Sequence, residues 1–198
     1  MRDKLTAAIA GAVGALVAVA VMGATGDGQT STTIRAERFE VVDQDGKVVA
    51  ALDATSEDGP RLMLFDGAGK TRVWLNVTKD GPGLTLYDGA GKDRISLDVT
   101  KNDSGLTLYD AKGKGRVWLN VRKDGPGLTL YDAPGKERVG LGVTKDGPGL
   151  TLYDAAEKKR AALGSSGLET SGTGAPERTS EGSLALFDKD GKVLWKMP

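Results

Sequence analysis

The sequence predicts an all-β fold: tandem 22-residue β-hairpin repeats forming an antiparallel meander, roll or hairpin solenoid, preceded by one N-terminal transmembrane helix. Three observations predict it. Gly-Leu-Thr-Leu-Tyr-Asp recurs from Gly83, Gly105, Gly127 and Gly149 at a fixed spacing of 22 residues. Between copies, runs such as Arg116-Val117-Trp118-Leu119-Asn120-Val121 alternate in polarity and are bounded by Gly, Asp and Pro clusters, the pattern of short strands and turns. Ahead of the repeats, residues 5–24 are small and apolar with Thr6 the one polar side chain, which matches the length that spans a bilayer core.

The N-terminal element, residues 1–25, reads as a transmembrane signal anchor, with a cleaved signal peptide as the alternative. Val21-Met22-Gly23 is a poor small-residue cleavage site, and the apolar run exceeds an ordinary signal-peptide core. Arg2 and Lys4 favour a cytoplasmic N-terminus, so the repeats are expected on the periplasmic or extracellular side of a bacterial cell membrane that the chain crosses once. Ala7, Gly11 and Ala15, and Ala10, Gly14 and Ala18, fall at small-xxx-small spacing, the pattern of close helix pairs, although so Ala- and Gly-rich a segment produces it by chance as well.

Residues 26–33 form a polar linker, and the array follows over 34–163. Alignment on a repeated aspartate gives seven units, at Asp43, Asp66, Asp88, Asp110, Asp132, Asp154 and Asp188. Two strands per unit make about 14, a sheet about 65 Å long if left open. Leu84 and Leu86 share a face with Ile95, Leu97 and Val99, while Thr85, Tyr87, Ser96 and Asp98 share the other. The aliphatic face is expected to be the core. Strands this short cannot bury it alone, so the array is expected to curl, roll or pack against other chains. They are also too short for an outer-membrane barrel, which needs about 9 to 11 residues per strand. Residues 164–182 are a flexible Gly/Ser/Thr-rich insertion, and 183–198 a C-terminal capping hairpin.

Composition removes several chemistries. Basic and acidic residues number 27 each, so net charge attracts no nucleic acid. With no Cys and no His there are no thiolate or imidazole ligands, no cysteine nucleophile and no histidine-based triad. Asp66-Gly67-Ala68-Gly69-Lys70-Thr71 resembles the end of a phosphate loop but recurs as Asp88-Gly89-Ala90-Gly91-Lys92-Asp93, so it reads as a hairpin turn in which the aspartate bends its own backbone. Asp43-Gln44-Asp45-Gly46 and Asp188-Lys189-Asp190-Gly191 begin like calcium loops but lack the later ligands. Neither a metal, a cofactor nor a catalytic residue is assigned, and the ladder of Asp, Lys and Arg reads as cross-strand ion pairs.

The candidate site is the outer-face aromatic set: Trp74 with Tyr87, Trp118 with Tyr131, and Arg94 and Arg138 beside the tyrosines. Pairing Leu86 with Ile95 and Leu84 with Leu97 places Tyr87 opposite Arg94. Pairing Val77 with Leu84 places Trp74 opposite Tyr87, and by the same step Trp118 opposite Tyr131. Exposed aromatics flanked by arginine suit sugar stacking or a protein partner, and cross-strand aromatic pairs also stabilise sheets.

Tyr-Asp-x-x-Gly-Lys-x-Arg, at Tyr87 to Arg94 and again at Tyr131 to Arg138, resembles the tyrosine-aspartate repeats of large secreted bacterial toxins, and the hairpin length resembles choline-binding cell-wall repeats. The likeness covers residues 39–198 and implies the hairpin architecture alone. Ser96 and Gly140 stand where two of the tryptophans would be, and no ligand is carried over. The expectation is a non-enzymatic, membrane-anchored β-repeat protein with a structural, adhesive or protein-binding role. A carbohydrate or cell-wall binding module and a homo-oligomeric surface fibre are the alternatives.

Overall fold

In the computed structural model the described residues are 35–164 and 184–197. The expected anchor at 1–25, the linker at 26–33 and nearly all of the insertion lie outside them. The described residues contain fourteen strands in one antiparallel sheet whose spatial order is the sequence order. They are β1 (Arg38–Val42), β2 (Val48–Asp53), β3 (Arg61–Phe65), β4 (Thr71–Thr78), β5 (Gly81–Tyr87), β6 (Asp93–Val99) and β7 (Ser104–Tyr109). The second half comprises β8 (Gly115–Arg122), β9 (Gly125–Tyr131), β10 (Glu137–Thr144), β11 (Gly147–Tyr153), β12 (Lys159–Gly164), β13 (Leu184–Phe187) and β14 (Val193–Met197). Among the described residues each strand contacts its sequence neighbours and no other strand, so the sheet is an open meander.

Odd-to-even connections are the Asp-x-x-Gly-Lys turns. In the fourth unit the Asp110 amide donates to Lys114 O at 2.9 Å, and its Oδ1 accepts the amides of Lys112 and Lys114 at 2.8 and 3.0 Å. The aspartate therefore bends its own backbone, as the repeat predicts. A bulge follows every such turn. Leu86 pairs with Ile95 but Tyr87 pairs with Asp93, which leaves Arg94 as the extra residue and corrects the expectation that Tyr87 faces Arg94 directly. The even-to-odd connections β4–β5, β8–β9 and β10–β11 are tighter: Thr78 pairs with Gly81 across Lys79 and Asp80, and the other two match it.

That tight turn also corrects the second register. Val77 lies opposite Pro82 and Leu75 opposite Leu84, two residues nearer the turn than the expected pairing of Val77 with Leu84. Trp74 consequently faces Thr85, and Trp118 faces Thr129. The expected match of Leu84 with Leu97 holds.

Register places one unbroken apolar row across the sheet. It runs from Phe39 through twelve leucines, one per strand, to Met197. A parallel row from Val41 to Trp195 consists of Val, Ala, Leu and Ile between those ends. The expectation that this face is the core is overturned in the single chain, where Leu97 is 46% and Leu119 49% exposed. The other face is the more buried one: Ala51 is 1% and Ser96 8% exposed, and Ala162, Ala185 and Phe187 cluster there with Val193 against them. The cause is side-chain length. On that face Trp, Tyr and Arg lie across Ala, Ser, Thr and Gly, so that a Cβ at Gly115 would sit 2.5 Å from Trp118 Nε1. Nothing lies across the leucines.

Two glycine positions give a graded test. Gly125 has φ 125° and a Cβ there would meet Val143 O at 1.8 Å, whereas Gly135 has φ 89° with open space around it. In the sixth unit Glu157 occupies the place of Gly135 with φ 61°. Gly125→Ala should cost more than about 2 kcal/mol, combining left-handed strain with a backbone clash. Glu157→Gly should raise stability by about 1 kcal/mol, the left-handed penalty of a non-glycine residue. The exposed Lys136–Glu157 pair at 3.7 Å is too weak to reverse that sign. Urea unfolding checks both.

Candidate interaction surface

The candidate side chains sit on the polar and aromatic face. Trp74 and Trp118 lie in its central row, where the remaining positions from β2 to β13 carry small or medium residues such as Ala51, Met63, Ser96, Gly140 and Ala185. Tyr87 and Tyr131 end their strands on the same face, beside the bulges that hold Arg94 and Arg138.

The structure brings together one of the two expected aromatic pairs in ring contact. Trp118 and Tyr131 have centroids 4.9 Å apart at an interplanar angle of 56°. They meet diagonally, because Tyr131 lies two residues along from Thr129, the direct partner of Trp118. Trp118 is 38% exposed, so one wall of this pair faces solvent. Trp74 is half-buried and takes a different neighbour, the Arg61 guanidinium 5.8 Å from its ring centroid, a cation–π distance.

The arginines serve the turns. Arg94 pairs with Asp88 at 3.5 Å, and its Nε donates to Tyr109 O in the next unit at 3.2 Å. Arg138 pairs with Asp132. Arg116 pairs with Asp110 and donates to Asp132 O and, at 2.9 Å, to Ala133 O. Arg72 and Arg160 make the equivalent pairs with Asp66 and Asp154. Lysines add to the ladder: Lys92 Nζ reaches Ala111 O at 3.3 Å and Lys136 Nζ reaches Ala155 O at 3.2 Å. Turn and neighbouring turn are thus stitched along one margin of the sheet.

These contacts set the carboxyl pKa values. Asp110 is lowered to about 2, first by the Lys114 amide and then by Arg116. Asp66, Asp88 and Asp154 are lowered in the same way by the lysine amide four residues on and by their arginines. At Asp132 burial is the largest influence and opposes ionisation, yet the Lys136 amide and Arg138 hold the carboxyl low. Burial, followed by the Glu137 charge, raises the Tyr131 and Tyr153 hydroxyls. Glu137 is itself raised by burial and by Glu157.

Beside the Trp118–Tyr131 pair the central row changes to Gly140. A Cβ at Gly140 would stand 2.6 Å from Glu137 Oε1, so this carboxylate leans over the glycine. A shallow groove of about 260 Å³ runs here over Gly140, Gly142, Gly147 and Gly149 to Thr151 and Tyr153. Tyr153 is the aromatic side chain that lines this glycine floor.

Sequence reasoning missed the Asp53 cluster. Asp53 is 1% exposed and accepts from Arg38 at 2.7 Å, Arg61 at 3.2 Å, and the Thr55 hydroxyl and amide at 2.6 and 2.8 Å. The Thr55 hydroxyl and amide, then Arg61 and Arg38, hold its carboxyl far below the ordinary range. The signal was the repeat itself, since Asp53 occupies the register of Asn76, Asp98 and Asn120. Comparison with family models and with curated proteins finds no match to this chain.

The sign of the acid response follows from the lowered carboxyls. A group whose folded pKa is depressed contributes stability above its unfolded value, about 3.9 for Asp, and loses it as pH falls through the folded value. The sheet should therefore keep its β circular dichroism down to about pH 4 and lose stability progressively toward pH 2, where Asp110 takes up its proton. Glu137 works in the opposite sense but stands alone among these groups. Urea midpoints measured from pH 7 to pH 2 check the slope, and Asp110→Asn should reduce it.

Proposed function

We propose that this chain is a non-enzymatic, membrane-anchored extracytoplasmic β-repeat protein that holds a long sheet out from the membrane for a protein or polymer partner. The observation that carries the reading is the division of labour among its polar groups. The repeated carboxylates and guanidiniums are engaged in turn construction and unit-to-unit bonding, while Trp118 stays partly open on the sheet face. Charged groups committed to the scaffold favour a structural and binding role over a catalytic one. The membrane attachment rests on the apolar run 5–24 with Arg2 and Lys4 before it.

A carbohydrate-binding reading is favoured by one specific observation, the tilted Trp118–Tyr131 pair with Trp118 partly open to solvent. A partly exposed aromatic face suits the stacking of a sugar ring. Nothing on this face favours nucleic acid, given the balanced charge.

Tagged full-length chain recovered after mild crosslinking of intact envelopes should bring down a protein or glycan partner. Replacing Trp118 and Tyr131 together by Ser should reduce capture about tenfold or more, the scale of a lost aromatic anchor. Unchanged capture by that variant rejects the site, and a glycan in place of a protein in the captured material selects the second reading.

A further inference from the structure

We infer that the aliphatic face of the sheet is covered by the same face of a second copy of this chain, giving a two-layer homodimer. This goes beyond the partner-binding reading above, which concerns the opposite face and stands or falls separately.

The two apolar rows described above contain no charged side chain from β1 to β14. Val77, Val99, Val121 and Val143 widen the face on one side, each about half exposed. Two rows across fourteen strands, about 65 Å by 10 Å, and a third across the eight strands from β4 to β11, about 38 Å by 7 Å, cover roughly 900 Å². A standard protein interface takes about 800 Å² from each partner, and exposed apolar patches on monomers rarely exceed a few hundred.

The occupant must be as long and as uncharged as the face. The apolar run 5–24 in this chain has twenty residues, and a helix of that length spans about 30 Å, less than half the sheet. The segment between β12 and β13 is Gly/Ser/Thr-rich and offers no apolar periodicity. A charged partner gains nothing from a surface without charge. A lipid surface would have to accommodate the Asp and Lys turns that flank the face on both margins, at Asp110 to Lys114 on one and Lys123 and Asp124 on the other. A second sheet has the same length, the same twist and the same repeating ridges of Leu and Val, so an isologous pair is self-complementary. Association through the sheet edges is less favoured, because β1 carries Arg38 and Glu40 on a five-residue strand.

In an isologous pair the central strands β7 and β8 lie over their counterparts, which brings Leu106 and Leu119 of the two copies together. The chain has no Cys, so one introduced thiol reports on itself alone. Full-length Leu106→Cys and Leu119→Cys, treated in lysed-cell suspension before extraction with a bismaleimide of about 10 Å reach, the spacing of packed sheets, should each give a species of twice the chain mass containing this chain only. Thr107→Cys, on the other face of β7, should not. The two aliphatic-face thiols should react with a water-soluble monofunctional maleimide at least tenfold more slowly than Lys112→Cys in the exposed turn. The unsubstituted chain should show two copies per particle by native mass measurement, which needs no variant to fold. Aliphatic-face thiols that label as fast as Lys112→Cys and form no dimer overturn the inference. So do protected thiols that crosslink to another molecule or to nothing, and a single copy in the native mass.

Discussion

In the five units from Asp66 to Asp154, one aspartate holds both its turn and an arginine six residues on. Its Oδ1 gathers two amides of the Asp-x-x-Gly-Lys turn, and its Oδ2 fixes an arginine six residues on, as Asp110 does with Lys112, Lys114 and Arg116. That arginine then reaches the carbonyls of the next unit's turn. Charged hydrogen bonds of this kind are stronger than neutral ones, and here each ties local geometry to propagation along the array. The bulge after each turn belongs to the same device, because it frees Arg94 and its equivalents from the ladder and aims them back at the turn.

The two faces of the sheet answer different physical demands. On the aromatic face long amphipathic side chains cover small ones, so a single layer shields part of its own surface. Between the two end strands the rows of the aliphatic face carry Leu, Val, Ile and Ala, none long enough to fold over another. The first face is complete within the chain; the second offers repeated Leu and Val at regular spacing with little variation from end to end. The polar face carries individuality in Trp74, Trp118, Gly140 and the Asp53 cluster, and the apolar face carries almost none.

Much of the fold was legible because a fixed 22-residue period shows each pattern several times over. The strand number, the antiparallel order, the division of Leu84 from Thr85 and the pairing of Leu84 with Leu97 all follow from alternation and turn chemistry. The structure departs from the expected registers where alternation is silent. A tight turn at Lys79-Asp80 and a bulge at Asp93-Arg94 each shift pairing without disturbing the polarity pattern, so the partners of Trp74 and Trp118 were misplaced. Alternation also labels faces as apolar or polar without saying which is covered, so it does not reveal that Leu97 and Leu119 are half exposed. The Trp118–Tyr131 contact was anticipated as a pair but not as a diagonal one. The Asp53 cluster needed knowledge that Thr55, Arg38 and Arg61 converge from three segments.

Every strand among the described residues touches its sequence neighbours and nothing more distant. Sequence-local contacts close small loops, and chains dominated by them fold quickly. No strand of this sheet has to wait for a segment still to be made, so a chain emerging from a ribosome or a narrow pore can add each hairpin to the edge left by the one before. Growth of the structure then keeps step with delivery of the polymer, and the exposed edge advances with it.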